Sequence, residues 1–309
     1  MNRRRQIPKG ILGFPVAPFT EQGCIDEKAL NENINFLVDE GLEAIFIACG
    51  SGEFHALSMD EYRQMIDVAI ETTKGRVPVY AGVGGNITAA LEQARISEEK
   101  GVDGYLILPP YLIAGEQKGL IDYLSTIISS TDLNAIVYQR DNAILELKAL
   151  QKLLGFPQLV GLKDGVGNNE QNILFTQNIG DRLTWLNGMP MAEVTMPAYL
   201  PLGFNGYSSA ISNYIPHISR LFYTALIEGD KKTVNELHRE IILPINKIRN
   251  KRKGYAVSLL KAGMEIVGMD VKNKVRPPVI PVEREDYEQL ASIIEYAYDK
   301  YPRASKQER

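Results

Sequence analysis

The sequence predicts a (β/α)8 TIM barrel with a C-terminal helical extension. Two observations predict it. Short apolar runs, each followed by an amphipathic stretch, recur through residues 10–228 as eight units. Each unit takes roughly 25 to 30 residues, the length of a strand and its crossover helix in such a barrel. Beyond 228 the apolar runs stop, and helical stretches follow over 231–253, 255–267 and 285–301. The expected organisation is a barrel over 1–228 with a helical region over 229–309 packed on it. An open, doubly wound sheet with the same number of strands is the competing architecture.

The first strand falls within 10–19, and Pro15 and Pro18 take its end out of the sheet because proline cannot donate to a ladder. A helix over 26–40 puts Leu30, Ile34, Leu37 and Val38 on one face, and Gly41 stops it. Residues 44–49 form a buried strand that breaks into Gly50-Ser51-Gly52-Glu53. Ser58 caps the next helix, with Glu61 completing a capping box. The third strand, 77–81, leads to Gly82, Gly84, Gly85 and Asn86. That cluster lacks the third glycine of a dinucleotide fingerprint at the required spacing, so it predicts a tight turn into a helix over 88–100. The fourth strand, 104–108, ends at Pro109, Pro110 and Tyr111, before a helix over 117–129. The fifth, 134–138, runs into Gln139, Arg140, Asp141 and Asn142, and a helix over 147–154 leads to the sixth. That strand ends on Lys163, Asp164 and Gly165. A helix over 170–179, a strand over 183–186 with the turn Asn187-Gly188, a helix over 191–200, a strand over 204–209 and a helix over 216–228 complete the series.

Composition narrows the function classes. With 309 residues, 45% hydrophobic and 23% charged, the chain is ordinary globular protein, long enough for a large core. A net charge of −4 gives no electrostatic reason to expect nucleic acid or an anionic membrane as partner. The two cysteines, Cys24 and Cys49, suit a reducing compartment, and a cytoplasmic location is expected. Residues 1–8 are basic, but no apolar segment follows them as in a signal peptide, and no apolar run approaches membrane-spanning length. His55, His217 and His238 are scattered and form no metal-type pair, so no metal site is expected.

The active site of such a barrel lies at the C-terminal ends of its strands, so the residues there are informative. Lys163 ends an apolar strand. A buried ammonium is costly unless it is paired or deprotonates, and a lysine desolvated in this way is a nucleophilic amine suited to a Schiff base with a ketone. The alternatives are a lysine snorkelling from the mouth or salt-bridged to Asp164. Tyr138 offers a phenol at the end of the neighbouring strand, or else is a packed rim aromatic. The amides of Gly50-Ser51-Gly52 can form an anion-binding nest, or be only a turn. Glu53 reads as a structural partner rather than a proton carrier. Arg140 suits bidentate recognition of a carboxylate, against the alternatives of a surface arginine or an intersubunit ion pair. Tyr111, Gly188, Ser208 and Ser209 would face the same mouth. The basic run of Lys247, Arg249, Lys251, Arg252 and Lys253 reads as a solvated helix end favoured by the macrodipole.

These residues resemble the dihydrodipicolinate synthase/N-acetylneuraminate lyase family of Schiff-base aldolases, over essentially the whole chain. Gly50-Ser51-Gly52-Glu53, with Ala48 and Cys49 before it, is similar to the family's Gly-Thr-Thr-Gly-Glu loop. Lys163-Asp164 is similar to its Schiff-base lysine segment, and Tyr138 falls on its proton-relaying tyrosine. The chain departs from the lysine-biosynthesis enzyme at Leu112, where that enzyme has a second tyrosine reaching into the neighbouring subunit. The segments 138–143, 188–193 and 207–210 instead resemble the 5-dehydro-4-deoxyglucarate dehydratases, with Gln139 where that group commonly has Asn.

The resemblance implies a Schiff-base lyase converting 5-dehydro-4-deoxy-D-glucarate to 2,5-dioxopentanoate, water and CO2, in sugar-acid catabolism. It implies catalytic roles for Lys163, Tyr138 and Ser51, and substrate contacts from Gly50, Ser51, Arg140, Gly188, Ser208 and Ser209. No metal or organic cofactor is implied, and the partner is a small keto-sugar acid, in a homo-oligomer that is a tetramer or a dimer. The alternatives are a class I aldolase making or cleaving a 2-keto-3-deoxy sugar acid through pyruvate, and a dihydrodipicolinate synthase-like enzyme. From another class comes a non-catalytic barrel that binds sugar acids.

Overall fold

A computed structural model describes residues 9–303, and the basic segment 1–8 lies outside the described residues. Eight parallel strands close in chain order into a barrel: β1 (Gly10–Gly13), β2 (Ile45–Ile47), β3 (Val79–Val83), β4 (Gly104–Ile107), β5 (Asn134–Gln139), β6 (Leu159–Asp164), β7 (Thr184–Asn187) and β8 (Gly206–Ser209). The ring is sealed where β8 pairs with β1, Gly206 opposite Gly10 and Ser209 opposite Gly13. The open-sheet alternative is thereby excluded.

The crossover helices are α1 (Glu27–Asp39), α2 (Met59–Thr73), α3 (Ile87–Lys100), α4 (Gln117–Ile128), α5 (Leu147–Leu153), α6 (Asn169–Ile179), α7 (Ala192–Tyr199) and α8 (Pro216–Glu228). Their starts follow from local side-chain chemistry. Asp26, Asn86 and Asn168 each accept a backbone N–H of the first turn, and Ser58 and Glu61 form the reciprocal capping box. The glycine cluster after β3 is thus a turn ending in the Asn86 cap.

Strand alternation builds two cores. Residues facing the helices join the large outer core, and a smaller set fills the barrel itself. Within the barrel Phe14, Phe46 and Tyr80 stack in sequence, with ring centroids 4.7 and 4.9 Å apart. They make a floor beneath Tyr138 and Lys163, which lie opposite each other in the β5–β6 register.

After α8 come α9 (Lys231–Leu237), α10 (Leu243–Arg249), α11 (Tyr255–Ile266) and α12 (Arg284–Lys300). The single helix expected over 231–253 is interrupted by a π-helical turn, His238–Ile242, in which the Leu243 N–H reaches back to the His238 carbonyl. Pro244, which has no N–H to give and crowds the preceding turn, accounts for the wider turn ahead of it. The extra residue rotates everything beyond it by about 100° relative to an uninterrupted helix. Among the described residues no helix is long and apolar enough to cross a membrane.

Candidate active site

Lys163 reaches the barrel interior because β6 alternates. Leu162 packs outward with the large core, and Lys163 points in. Only 6% of it is exposed, and among the described residues it is in no ion pair. Its Nζ sits 4.2 Å from the Phe14 ring centroid and 4.4 Å from that of Tyr138. Burial lowers its pKa to about 8, helped by the nearby Arg140 charge. The Cys49 thiol beside it is pushed by burial up to about 12, so it stays protonated.

Asp164 is not the partner of Lys163. It points to the other side of the strand, where it accepts from the N–H groups of Val166 and Gly167, from Asn172 Nδ2 and from Tyr199 Oη at 2.6 Å. These bonds fix the loop that follows the lysine. Both alternatives for Lys163, snorkelling and a bridge to Asp164, fail on this geometry.

Tyr138 Oη donates to the Gly188 carbonyl at 3.0 Å and accepts from Arg140 Nη1 at 3.2 Å. Burial raises the phenol pKa, and the Arg140 charge opposes that rise. Gly188 is glycine for a steric reason. A Cβ there would fall 2.6 Å from both Cγ and Cε of Lys163 and 2.9 Å from the Tyr138 ring.

A cavity of about 210 Å³ opens above these groups. Gly50, Ser51, Tyr138, Arg140, Lys163, Gly188, Ser208 and Ser209 all line it, so the strand-end residues converge on one mouth. Ser209 departs from the expectation in one respect. Its hydroxyl is turned behind the strand, donating to Glu193 at 2.5 Å and bonded to Ser219 at 2.9 Å. Period-two alternation explains this, since Tyr207 on the same face also bonds Ser219, leaving Ser208 on the opposite, cavity side. Tyr111 is 72% exposed and is not among the lining residues.

The Gly50-Ser51-Gly52 loop is held from below. Glu53, in left-handed backbone conformation and fully buried, pairs with Lys261 of α11 at 2.5 Å and accepts the Arg276 N–H at 2.9 Å. Arg276 in turn pairs with Glu61 and donates to the Gly23 carbonyl at 2.7 Å. The reading of Glu53 as a structural partner holds, with partners from the tail that local sequence does not reveal.

Arg249 also lines the cavity, contrary to the expectation of a solvated basic helix end. The basic run divides: Lys251 pairs with Asp286, Arg252 pairs with Glu283, and Arg249 faces the mouth. Phe14, under the lysine, was likewise not singled out from the sequence. Among the described residues, no group of three or more His, Cys, Asp or Glu is placed to hold a metal ion.

A closed parallel barrel with a desolvated lysine and a phenol at its C-terminal mouth is the architecture of imine-forming lyases. The chain belongs to the dihydrodipicolinate synthetase family, whose model matches residues 7–297. It is 64% identical over 305 residues, covering 99% of both chains, to a Bacillus licheniformis protein named probable 5-dehydro-4-deoxyglucarate dehydratase. A Bacillus subtilis protein of the same name is 64% identical over 98% of both chains. Among solved structures, a dihydrodipicolinate synthase from Oceanobacillus iheyensis is 27% identical, with a TM-score of 0.87 over 94% of this chain and 96% of that one.

Proposed function

We propose that this chain is a decarboxylating 5-dehydro-4-deoxyglucarate dehydratase, giving 2,5-dioxopentanoate, water and CO2. The observation that carries the reading is the buried Lys163 amine against Tyr138, in a cavity lined, among the described residues, by cations and by no carboxylate. The near-full-length identity to relatives bearing that name selects the substrate within the family.

In this reading the neutral Lys163 amine attacks the ketone, and water leaves as the protonated imine forms. Gly50 and Ser51 bind the carboxylate beside the ketone. The imine is an electron sink that acidifies the adjacent CH2, and Tyr138 and the Ser51 hydroxyl move the protons. Loss of the β-hydroxyl as water gives a conjugated imine. The far C–C bond then breaks, CO2 departs, and its electron pair flows through the conjugated system to the imine nitrogen. Reprotonation and hydrolysis release the dioxo acid and regenerate Lys163. Ser208 offers its hydroxyl to the substrate chain and Arg140 its charge. Ser209 acts only through the backbone and Glu193 bonding behind it.

We read residues 1–228 as the barrel and 229–309 as its helical region, in a cytoplasmic homo-oligomer. The test of function is product analysis with 5-dehydro-4-deoxyglucarate. Stoichiometric CO2 and 2,5-dioxopentanoate are expected. Pyruvate among the products would point instead to an aldolase.

A further inference from the structure

We propose that Arg249, delivered by the C-terminal helices, is the specificity residue that binds the substrate carboxylate remote from the ketone. The inference deepens the dehydratase reading and rests on it for the identity of the substrate, though not for the class of ligand.

Among the described residues the cavity is lined by three cationic side chains, Lys163, Arg140 and Arg249, and by no aspartate or glutamate. Such a site suits a ligand with more than one negative charge. The near carboxylate belongs to the Gly50-Ser51 loop next to the lysine, which leaves the far one. Arg140 is already partly engaged. Its Nη1 donates to Tyr138 and its Nε lies 3.4 Å from Asp141. Its charge also helps lower the pKa of Lys163, so it serves the reacting groups.

Arg249 is less committed. Among the described residues its one hydrogen bond is from Nη1 to the Asn250 side chain at 3.0 Å, and it pairs with no carboxylate. Burial, and then the Arg140 charge, make its own charge less favourable. A partly desolvated guanidinium facing a second cation is a cost that an incoming carboxylate would offset, with a fork geometry suited to bidentate binding. The π-helical turn at His238–Ile242 sets the rotation at which α10 presents this residue, and such turns concentrate at functional sites.

Because the far carboxylate leaves as neutral CO2, the interaction is made in the bound state and given up as the bond breaks. Its loss should therefore raise KM more than it lowers kcat.

The test compares two six-carbon keto acids that form the imine but carry no β-hydroxyl to lose: 2-oxoadipate, with the far carboxylate, and 2-oxohexanoate, without it. Borohydride trapping at Lys163 gives the half-saturating concentration of each. The unsubstituted protein should favour 2-oxoadipate. In Arg249→Met the value for 2-oxoadipate should rise about 10- to 150-fold while that for 2-oxohexanoate stays within about twofold, as expected for one lost charged hydrogen bond. Arg249→Lys should recover part of the loss. Equal shifts for both acids would make Arg249 a scaffold residue, and no shift for either would place the far carboxylate elsewhere. Either result overturns the inference, as would the absence of any preference in the unsubstituted protein. Failure of that protein to turn over 5-dehydro-4-deoxyglucarate, with the differential shift still present, would overturn the dehydratase reading and leave the Arg249 site standing.

Discussion

Lys163 and Tyr138 stand opposite each other on adjacent strands, with the lysine Nζ 4.4 Å from the centroid of the tyrosine ring. The strand register thus sets an amine and a phenol side by side. The phenol is oriented by the Gly188 carbonyl and by Arg140. Tyr138→Phe keeps the packing and removes the proton carrier. Trapping of pyruvate at Lys163 should persist while turnover falls about 10²- to 10⁴-fold, the scale of a lost acid–base group. Turnover near that of the parent protein would reduce Tyr138 to a rim aromatic.

The pH dependence follows from the amine. Burial, with Arg140 assisting, holds Lys163 at about 8, below an ordinary lysine. Only the neutral form attacks a ketone, so kcat/KM should climb about tenfold per pH unit below that value and level off above it. Arg140→Met removes a neighbouring positive charge. The amine then holds its proton more tightly, its pKa rises, and the limb moves to higher pH. A profile unmoved by the substitution would assign the whole shift to burial.

Gly188→Ala tests the steric fit at the lysine stem. The new methyl would meet Cγ and Cε of Lys163 at 2.6 Å, neither of which is the free tip of the chain. The amine must shift, and misplacement by about 1 Å costs on the order of 10²-fold in rate. Undiminished borohydride trapping and turnover in a folded Gly188→Ala protein would show that the site has slack there.

Much of the fold was legible because the strand and helix periods alternate cleanly and the caps are strong. Ser58 with Glu61, and Asn86, did locally what their sequence context requires. The mouth was legible for the same reason, since a strand end in a barrel is a position in the site. The rest was hidden by tertiary context. Arg249 sits in a run that looks solvated, and nothing local says that a π-helical turn and the tail's path aim it at the cavity. The Ser209 hydroxyl could have been placed from the alternation with Tyr207. Lys261 also left a signal, a lone lysine within the apolar stretch of α11.

That lysine carries a stability prediction. Lys261 and Glu53 form an ion pair whose side chains are both 0% exposed. Lys261→Met leaves the Glu53 carboxylate buried without its cation, which costs about 3–5 kcal/mol. The urea midpoint should fall accordingly, and Glu53→Gln combined with Lys261→Met should recover part of the loss. A midpoint unchanged by Lys261→Met would mean that water or Arg276 satisfies the carboxylate.

Burial lowers the pKa of two lysines here to about 8, Lys163 in the barrel mouth and Lys261 beneath the Gly50-Ser51 loop. Only Lys163 faces the cavity, and Lys261 is bound to Glu53. The decisive measurement is peptide mapping by mass spectrometry after borohydride reduction in the presence of 5-dehydro-4-deoxyglucarate. The account predicts a reduced adduct on Lys163, absent from Lys163→Arg, whose guanidinium stays protonated and forms no imine. An adduct on Lys261, or turnover by the Lys163→Arg protein, would contradict it.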